Sequence, residues 1–164
     1  LICTSINSHI NPELPKLRPL KPYVAYDFSI LETDEIFDAV CPHIDFAITS
    51  CGDACMEEIQ RRCKRIHQRG CRYVIASRGK NGSVFSDGEH LFTHPAYLVE
   101  ALDTLGAGDS FLTAFLLSFV EWLEGNHDPS ELEGAVMAAM DAGSKFSAKT
   151  CMVHGAFGHG KQFE

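Results

Sequence analysis

Apolar residues along this chain follow two spacings. Short apolar runs of strand length recur at residues 1–5, 23–28, 44–49 and 73–76, and segments with helical spacing fall between them. Residues 33–40 predict a short helix, with Thr33 as N-cap and Ile36, Phe37 and Val40 on one face. Residues 56–69 predict a second helix with a basic outer face (Arg61, Arg62, Lys64, Arg65) and Gly70 as its stop. Segments 83–86 and 90–94 predict two short strands joined through Asp87-Gly88, a hairpin signal. Residues 109–124 predict a strongly apolar helix, and 131–149 a last helix rich in alanine and glycine. Pro12, Pro15, Pro19 and Pro22 make 11–22 an irregular connection or a short broken helix. Strands alternating with helices imply βαβ units. The expected fold is therefore α/β, with a mostly parallel sheet covered on both faces. In such sheets ligands bind outside the carboxyl ends of the strands.

Composition narrows the class. With 164 residues, one domain with a substantial core is expected. A net charge of -8 argues against a general nucleic-acid binder, which needs a basic surface. No apolar run reaches the length of a membrane-spanning helix, and residues 1–10 lack the pattern of a signal peptide. The seven cysteines are odd in number and none is spaced CxxC, so reduced thiols in the cytoplasm are expected. The chain opens inside an apolar segment without an initiator Met, which implies that the N-terminal part of a longer protein is missing.

The most informative stretch is Asp103-Thr104-Leu105-Gly106-Ala107-Gly108-Asp109, immediately before the apolar helix. Gly-Ala-Gly permits a tight turn with nothing to block a ligand from the backbone amides, and a helix start favours a phosphate. A phosphate loop alone has no use for an adjoining carboxylate. Phosphoryl transfer does, because the acceptor hydroxyl must lose a proton. An acid at a helix start is often only an N-cap, but a cap needs one acid and here two, Asp103 and Asp109, flank the glycines. A second segment, Ser77-Arg78-Gly79-Lys80-Asn81-Gly82, follows the strand at 73–76 and suits close backbone approach to a nucleotide. Alone it reads more readily as a surface turn before the hairpin, and it gains weight only from lying upstream of the 103–109 loop. Two other nucleotide motifs fail. Gly155 to Gln162 is one residue short of a Walker A loop, and no GxGxxG is present. The eight histidines are scattered, with no acid or cysteine group placed to complete a metal site.

These residues resemble the C-terminal signature of the ribokinase-like (PfkB) carbohydrate kinases. Residues 103–111 match the signature, Ser77-x-Gly79-x-x-Gly82 resembles the family's nucleotide loop, and Gly155-Ala156 resembles a pair near the end of its members. Segments 25–29, 43–47 and 154–156 are similar to members acting on fructosamines such as fructoselysine. The resemblance implies a three-layer α/β/α fold and ATP-dependent phosphorylation of a sugar hydroxyl. It makes Asp109 the base, with the amides of Gly106, Ala107 and Gly108 as the anion hole. Ser77, Gly79 and Gly82 would contact ATP. Asp103 and the Leu105 carbonyl would match a monovalent-cation site, for K⁺ in many members. Mg²⁺ would be held mainly through waters, and where relatives carry Asn-x-x-Glu this chain has Ser50-Cys51-Gly52-Asp53, leaving Asp53 as candidate. The family's sugar-binding glycine pair and β lid belong to an N-terminal part outside residues 1–164, which are expected to be a single C-terminal catalytic part. The expected partner is a small-molecule sugar, with no nucleic acid and no membrane, and a homodimer as a further expectation. A kinase for ribose, adenosine or another small alcohol, and a non-catalytic nucleotide-binding module, are the alternative readings.

Overall fold

The computed structural model describes residues 1–31 and 33–159, so Gly160, Lys161 and Gln162 of the rejected Walker-type segment lie outside the described residues. Two compact units emerge. One comprises Leu1–Arg78 with Val84–Thr93, the other Gly79–Ser83 with the chain from His94 onward.

The first unit carries most of a six-stranded sheet whose spatial order follows chain order. Strands β1 (Ile2–Ser5), β2 (Val24–Asp27), β3 (Phe46–Ser50) and β4 (Tyr73–Ser77) are parallel neighbours. In their register Thr4 pairs with Tyr26, Tyr26 with Ala47, and Ala47 with Val74. The connections are 3-10 turns over Asn11–Leu20, then α1 (Asp34–Val40), then α2 (Met56–His67). Strands β5 (Ser83–Ser86) and β6 (Leu91–His94) complete the sheet as a hairpin. The Asp87 carboxylate organises its turn, accepting from the amides of Glu89 (2.9 Å) and His90 (2.6 Å).

Several local signals act as the sequence implies. The Thr33 hydroxyl accepts from the Ile36 amide at 3.3 Å, capping α1. Gly70, at φ +96°, ends the turns that follow α2. Other boundaries move. β3 begins at Phe46 rather than 44, because Cys41–His43 forms a 3-10 turn and the Asp45 carboxylate is drawn to the Val24 amide (2.8 Å) and Arg18 (2.9 Å). The proline-rich stretch becomes ordered 3-10 turns, with Leu14 buried beneath them and Asn11 Oδ1 accepting from the Tyr26 hydroxyl at 2.7 Å.

One sheet face, Val24, Tyr26, Ala47, Val74 and Val84, packs with Phe28, Phe37, Val40, Ile59, Cys63 and Ile66 in a single buried cluster. Each such large side chain contributes about 1.5–3 kcal/mol on burial. On the opposite face the rings of Tyr23, Phe46, Tyr73, Phe85 and Phe92 form a ladder across the strands, with successive centroids 6.1, 5.1, 5.7 and 6.3 Å apart. Burial of both faces explains why these strands read as continuous apolar runs.

The basic face predicted for α2 is not uniformly outward. Arg62 turns toward the end of β3, where it donates to Thr49 Oγ1 (3.1 Å) and the Ser50 carbonyl (3.4 Å), with Cys51 Sγ at 2.9 Å. Arg65 reaches Asp34 at 2.8 Å and lies over the Phe37 ring. All seven cysteines are thiols.

The second unit is built on two helices, α3 (Ala107–Glu124) and α4 (Leu132–Cys151). The buried hydroxyls of Ser110 and Thr150, 2.6 Å apart, join the start of α3 to the end of α4, so the helices run antiparallel. Their backbones approach closely at Gly143, where a Cβ would stand 2.8 Å from both the ring and the carbonyl of Phe111. Phe111, Phe115, Phe119 and Trp122 stack along α3 at one-turn intervals. Helix α3 starts two residues before the predicted 109. Gly106, in the left-handed region at φ +79°, serves as N-cap, so Asp109 sits inside the first turn and is not the cap.

Candidate active site

The loop ahead of α3 is tied down from behind. The amides of Leu102 and Asp103 both donate to the carbonyl of Cys151, the last residue of α4, at 2.8 and 3.3 Å. Asp103 Oδ1 accepts from the Leu105 amide at 3.0 Å, and Oδ2 from the Gly155 amide at 2.8 Å. These N–H donors, Leu105's first and Gly155's next, hold the Asp103 carboxyl below the usual carboxylate range. Asp103 therefore shapes the loop and fastens it to the segment after α4.

Beyond that anchor the loop opens into α3. The Ala107 amide donates to the Thr104 carbonyl at 3.2 Å, and the first helical bond runs from the Ser110 amide to the Gly106 carbonyl at 2.9 Å. Among the described residues, the amides of Gly106, Gly108 and Asp109 have no acceptor, as expected of N-cap and first-turn positions. A Cβ built on Gly108 would meet nothing within 4 Å, so the approach to these amides is open. The Asp109 side chain is exposed and has no partner among the described residues. Open backbone amides, the positive end of an 18-residue helix, and an unengaged carboxylate thus occupy one helix turn. Of the three amides that the family resemblance implies for an anion hole, that of Ala107 donates to the Thr104 carbonyl and those of Gly106 and Gly108 are open.

The second candidate segment divides between the units. In the first, Ser77 ends β4. Its hydroxyl donates to the Thr49 carbonyl at 3.5 Å, and its carbonyl accepts from the Cys51 amide at 2.8 Å. The 51–54 turn, with Gly52 at φ +50° and Asp53 exposed, is thereby held beside Ser77, and Arg78 reaches the Ala54 carbonyl at 3.4 Å. In the second unit, Gly79 and Gly82 bracket a 3-10 turn, the Gly82 amide donating to the Gly79 carbonyl at 3.1 Å. Gly82 has a packing reason of its own: a Cβ there would lie 2.0 Å from the His94 carbonyl oxygen. Gly79, at φ +54°, faces open space.

Of the metal candidates, Asp53 belongs to the first unit and Asp103 and Leu105 to the second. Among the described residues, no three His, Cys, Asp or Glu side chains form a metal-holding group. Sequence reasoning overlooked the Cys151 carbonyl, Thr150 and Arg62. Only Arg62 left a signal: it stands three residues after Ile59 and four before Ile66, on the flank of the buried stripe.

Comparison with known proteins identifies the family and the fold. The model of the pfkB family carbohydrate kinases matches residues 30–156. The chain is 34% identical over 160 residues to the fructosamine kinase FrlD of Bacillus subtilis (strain 168), covering 98% of this chain and 52% of that protein. It is 31% identical over 157 residues to the fructoselysine 6-kinase of Escherichia coli (strain K12), covering 96% and 56%. The chain thus spans about half the length of the curated relatives it matches. Among solved structures, the aminoimidazole riboside kinase from Salmonella enterica superposes with a TM-score of 0.69 at 20% identity, covering 89% of this chain and 51% of that one. The ribokinase from Thermotoga maritima gives 0.60 at 19%, covering 92% and 52%. The fold is therefore ribokinase-like, α/β with a mostly parallel sheet, and no helix among the described residues is long and apolar enough to cross a membrane. An acid inside the first turn of a glycine-capped helix, together with a family match over most of the residues, shows that the chain belongs to the pfkB family of carbohydrate kinases.

Proposed function

We propose that this chain is the ATP-binding and catalytic part of a cytoplasmic kinase that phosphorylates a sugar hydroxyl, with a fructosamine such as fructoselysine as acceptor. The observation that carries this reading is the unengaged Asp109 carboxylate one helix turn from the open amides of Gly106 and Gly108. The names of the relatives supply the acceptor class.

ATP supplies the γ-phosphoryl group. A carboxylate oxygen of Asp109 accepts the proton of the acceptor hydroxyl, which makes the hydroxyl oxygen nucleophilic. The amides of Gly106, Gly108 and Asp109 stabilise the charge that grows on the transferred group, and they are fixed before it arrives. Ser77, Gly79 and Gly82 contact the nucleotide. Asp53 would order the waters of a Mg²⁺ ion that offsets phosphate charge, and Asp103 with the Leu105 carbonyl would hold a K⁺ ion. Asp103 fits such a role, because its carboxylate is charged across the physiological range. The partner set is a small sugar and a second copy of the protein.

The test is Asp109→Asn in the protein that carries this chain, assayed by ADP release over a panel of fructosamines, ribose and adenosine. The expected result is turnover with a fructosamine, lowered about 10²–10⁴-fold by the substitution with the fold retained. Near-normal turnover would remove Asp109 as base. ATP binding without ADP release on any acceptor would make the chain a nucleotide-binding module.

A further inference from the structure

A second constellation lies away from the 103–109 loop. Ser86 ends β5, is 5% exposed, and has its Oγ 2.9 Å from His67 Nε2. The other ring nitrogen, Nδ1, is 3.0 Å from the Cys71 carbonyl. A carbonyl can only accept, so Nδ1 carries the proton of the neutral ring. Nε2 is then the acceptor, and the Ser86 hydroxyl donates to it. The Gly88 amide donates to the same Ser86 oxygen at 3.2 Å, so negative charge growing there meets an N–H. Gly88, at φ +96°, is what lets the hairpin turn curl back over the His67 ring.

A hydroxyl, a base within hydrogen-bond reach, and a third group fixing the base's tautomer form the arrangement that activates a nucleophile. The pair also opens onto space. A cleft of about 540 Å³ between α2 and the hairpin is lined by both residues and by Gln60, Lys64, His90 and Leu91. That volume is in the range of small-molecule sites, and Lys64 adds a positive charge to its wall. The three other buried serine hydroxyls contrast with Ser86: Ser83 has no hydrogen-bond partner among the described residues, Ser110 is bonded to Thr150, and Ser144 is shared between the Pro95 carbonyl and His94 Nδ1, itself 2.8 Å from that carbonyl.

We propose that Ser86 is a nucleophile activated by His67 and that the adjoining cleft admits a small activated acyl ester. Ser86 Oγ bonds to the acyl carbon as the bond from that carbon to the leaving oxygen breaks. His67 Nε2 takes the serine proton and returns it to the leaving oxygen, which departs as the alcohol. Water, deprotonated by the same nitrogen, then hydrolyses the acyl-serine to the carboxylic acid and frees Ser86. Neither residue belongs to the kinase machinery, and ATP is not needed.

The experiment treats the protein carrying this chain with p-nitrophenyl acetate and, separately, with a fluorophosphonate, followed by intact mass and peptide mapping. One adduct on Ser86 is expected, formed about 10²-fold faster than on any other serine. It should be absent in Ser86→Ala and slowed about 10²-fold in His67→Gln at an unchanged Tm. The proposal is overturned if folded wild-type protein gives no Ser86 adduct, if urea-unfolded protein labels as fast, or if His67→Gln labels like wild type. Mapping on the wild type alone decides the first two, whatever the variants do to folding.

Discussion

Asp103 and Gly155, 52 residues apart in the chain, are joined by a 2.8 Å hydrogen bond from the Gly155 amide to the Asp103 carboxylate. The same carboxylate holds the Leu105 amide, so one side chain both curls the loop and anchors it. Asp103→Ala removes both bonds. The expected result is a kcat lower by about 10²-fold from a misplaced loop, with α3 and α4 intact by far-UV dichroism.

That carboxyl also dictates a pH response. Its proton affinity is depressed in the folded chain, so its contribution is present above the ordinary aspartate value and is lost as pH falls through the lower, folded value. The amide resonances of Leu105 and Gly155 are expected to shift together on acidification, with a midpoint below about 3.9. A midpoint above that value would contradict the hydrogen bonds.

Two glycines of α4 should respond oppositely to alanine. At Gly143 the new methyl meets Phe111 at 2.8 Å, so Gly143→Ala is expected to cost about 1–3 kcal/mol in urea unfolding. At Gly134 nothing lies within 4 Å, and Gly134→Ala is expected to gain about 0.5 kcal/mol from helix propensity.

The turn at 79–82 separates packing from binding. Gly82→Ala forces a methyl to 2.0 Å from the His94 carbonyl at φ +87°, and is expected to destabilise by about 3 kcal/mol. Gly79→Ala carries only the left-handed strain, about 1 kcal/mol. A rise in the KM for ATP at little change in Tm is therefore expected of Gly79→Ala, and a large Tm loss of Gly82→Ala.

Burial pushes the Cys41 thiol up to about 12 and the Cys71 thiol higher still. At pH 8 a thiol at 12 is ionised to about one part in ten thousand. Iodoacetamide should therefore reach the exposed Cys55 in the folded chain, and Cys41 and Cys71 only after urea unfolding, as peptide mapping would show.

The sheet and helices were largely legible because their signals are local. Thr33 caps the helix that starts beside it, Gly70 stops the turns that end at it, and the apolar runs mark strands buried on both faces. The loop at 103–109 stands out in the sequence for the same reason: glycines and acids crowd into seven residues. What escaped depends on residues distant in sequence. Nothing near Asp103 announces Gly155 or the Cys151 carbonyl, and nothing near Ser110 announces Thr150. The start of α3 was misplaced because Gly106 caps it through its backbone conformation, without the capping side chain that sequence reading looks for.

The ring ladder across the sheet gives the protein two optical channels. Tyr23 and Tyr73 stand within the ladder of the first unit, whereas the sole tryptophan, Trp122, lies in the second, stacked between Phe119 at 5.7 Å and His127 at 5.5 Å. Tyr26 also lies in the first unit and Tyr97 in the second, so near-ultraviolet tyrosine dichroism is weighted toward the first unit, while tryptophan emission follows the second. Overlaying the two denaturation curves measures whether they melt as one cooperative body or in succession, with no label introduced.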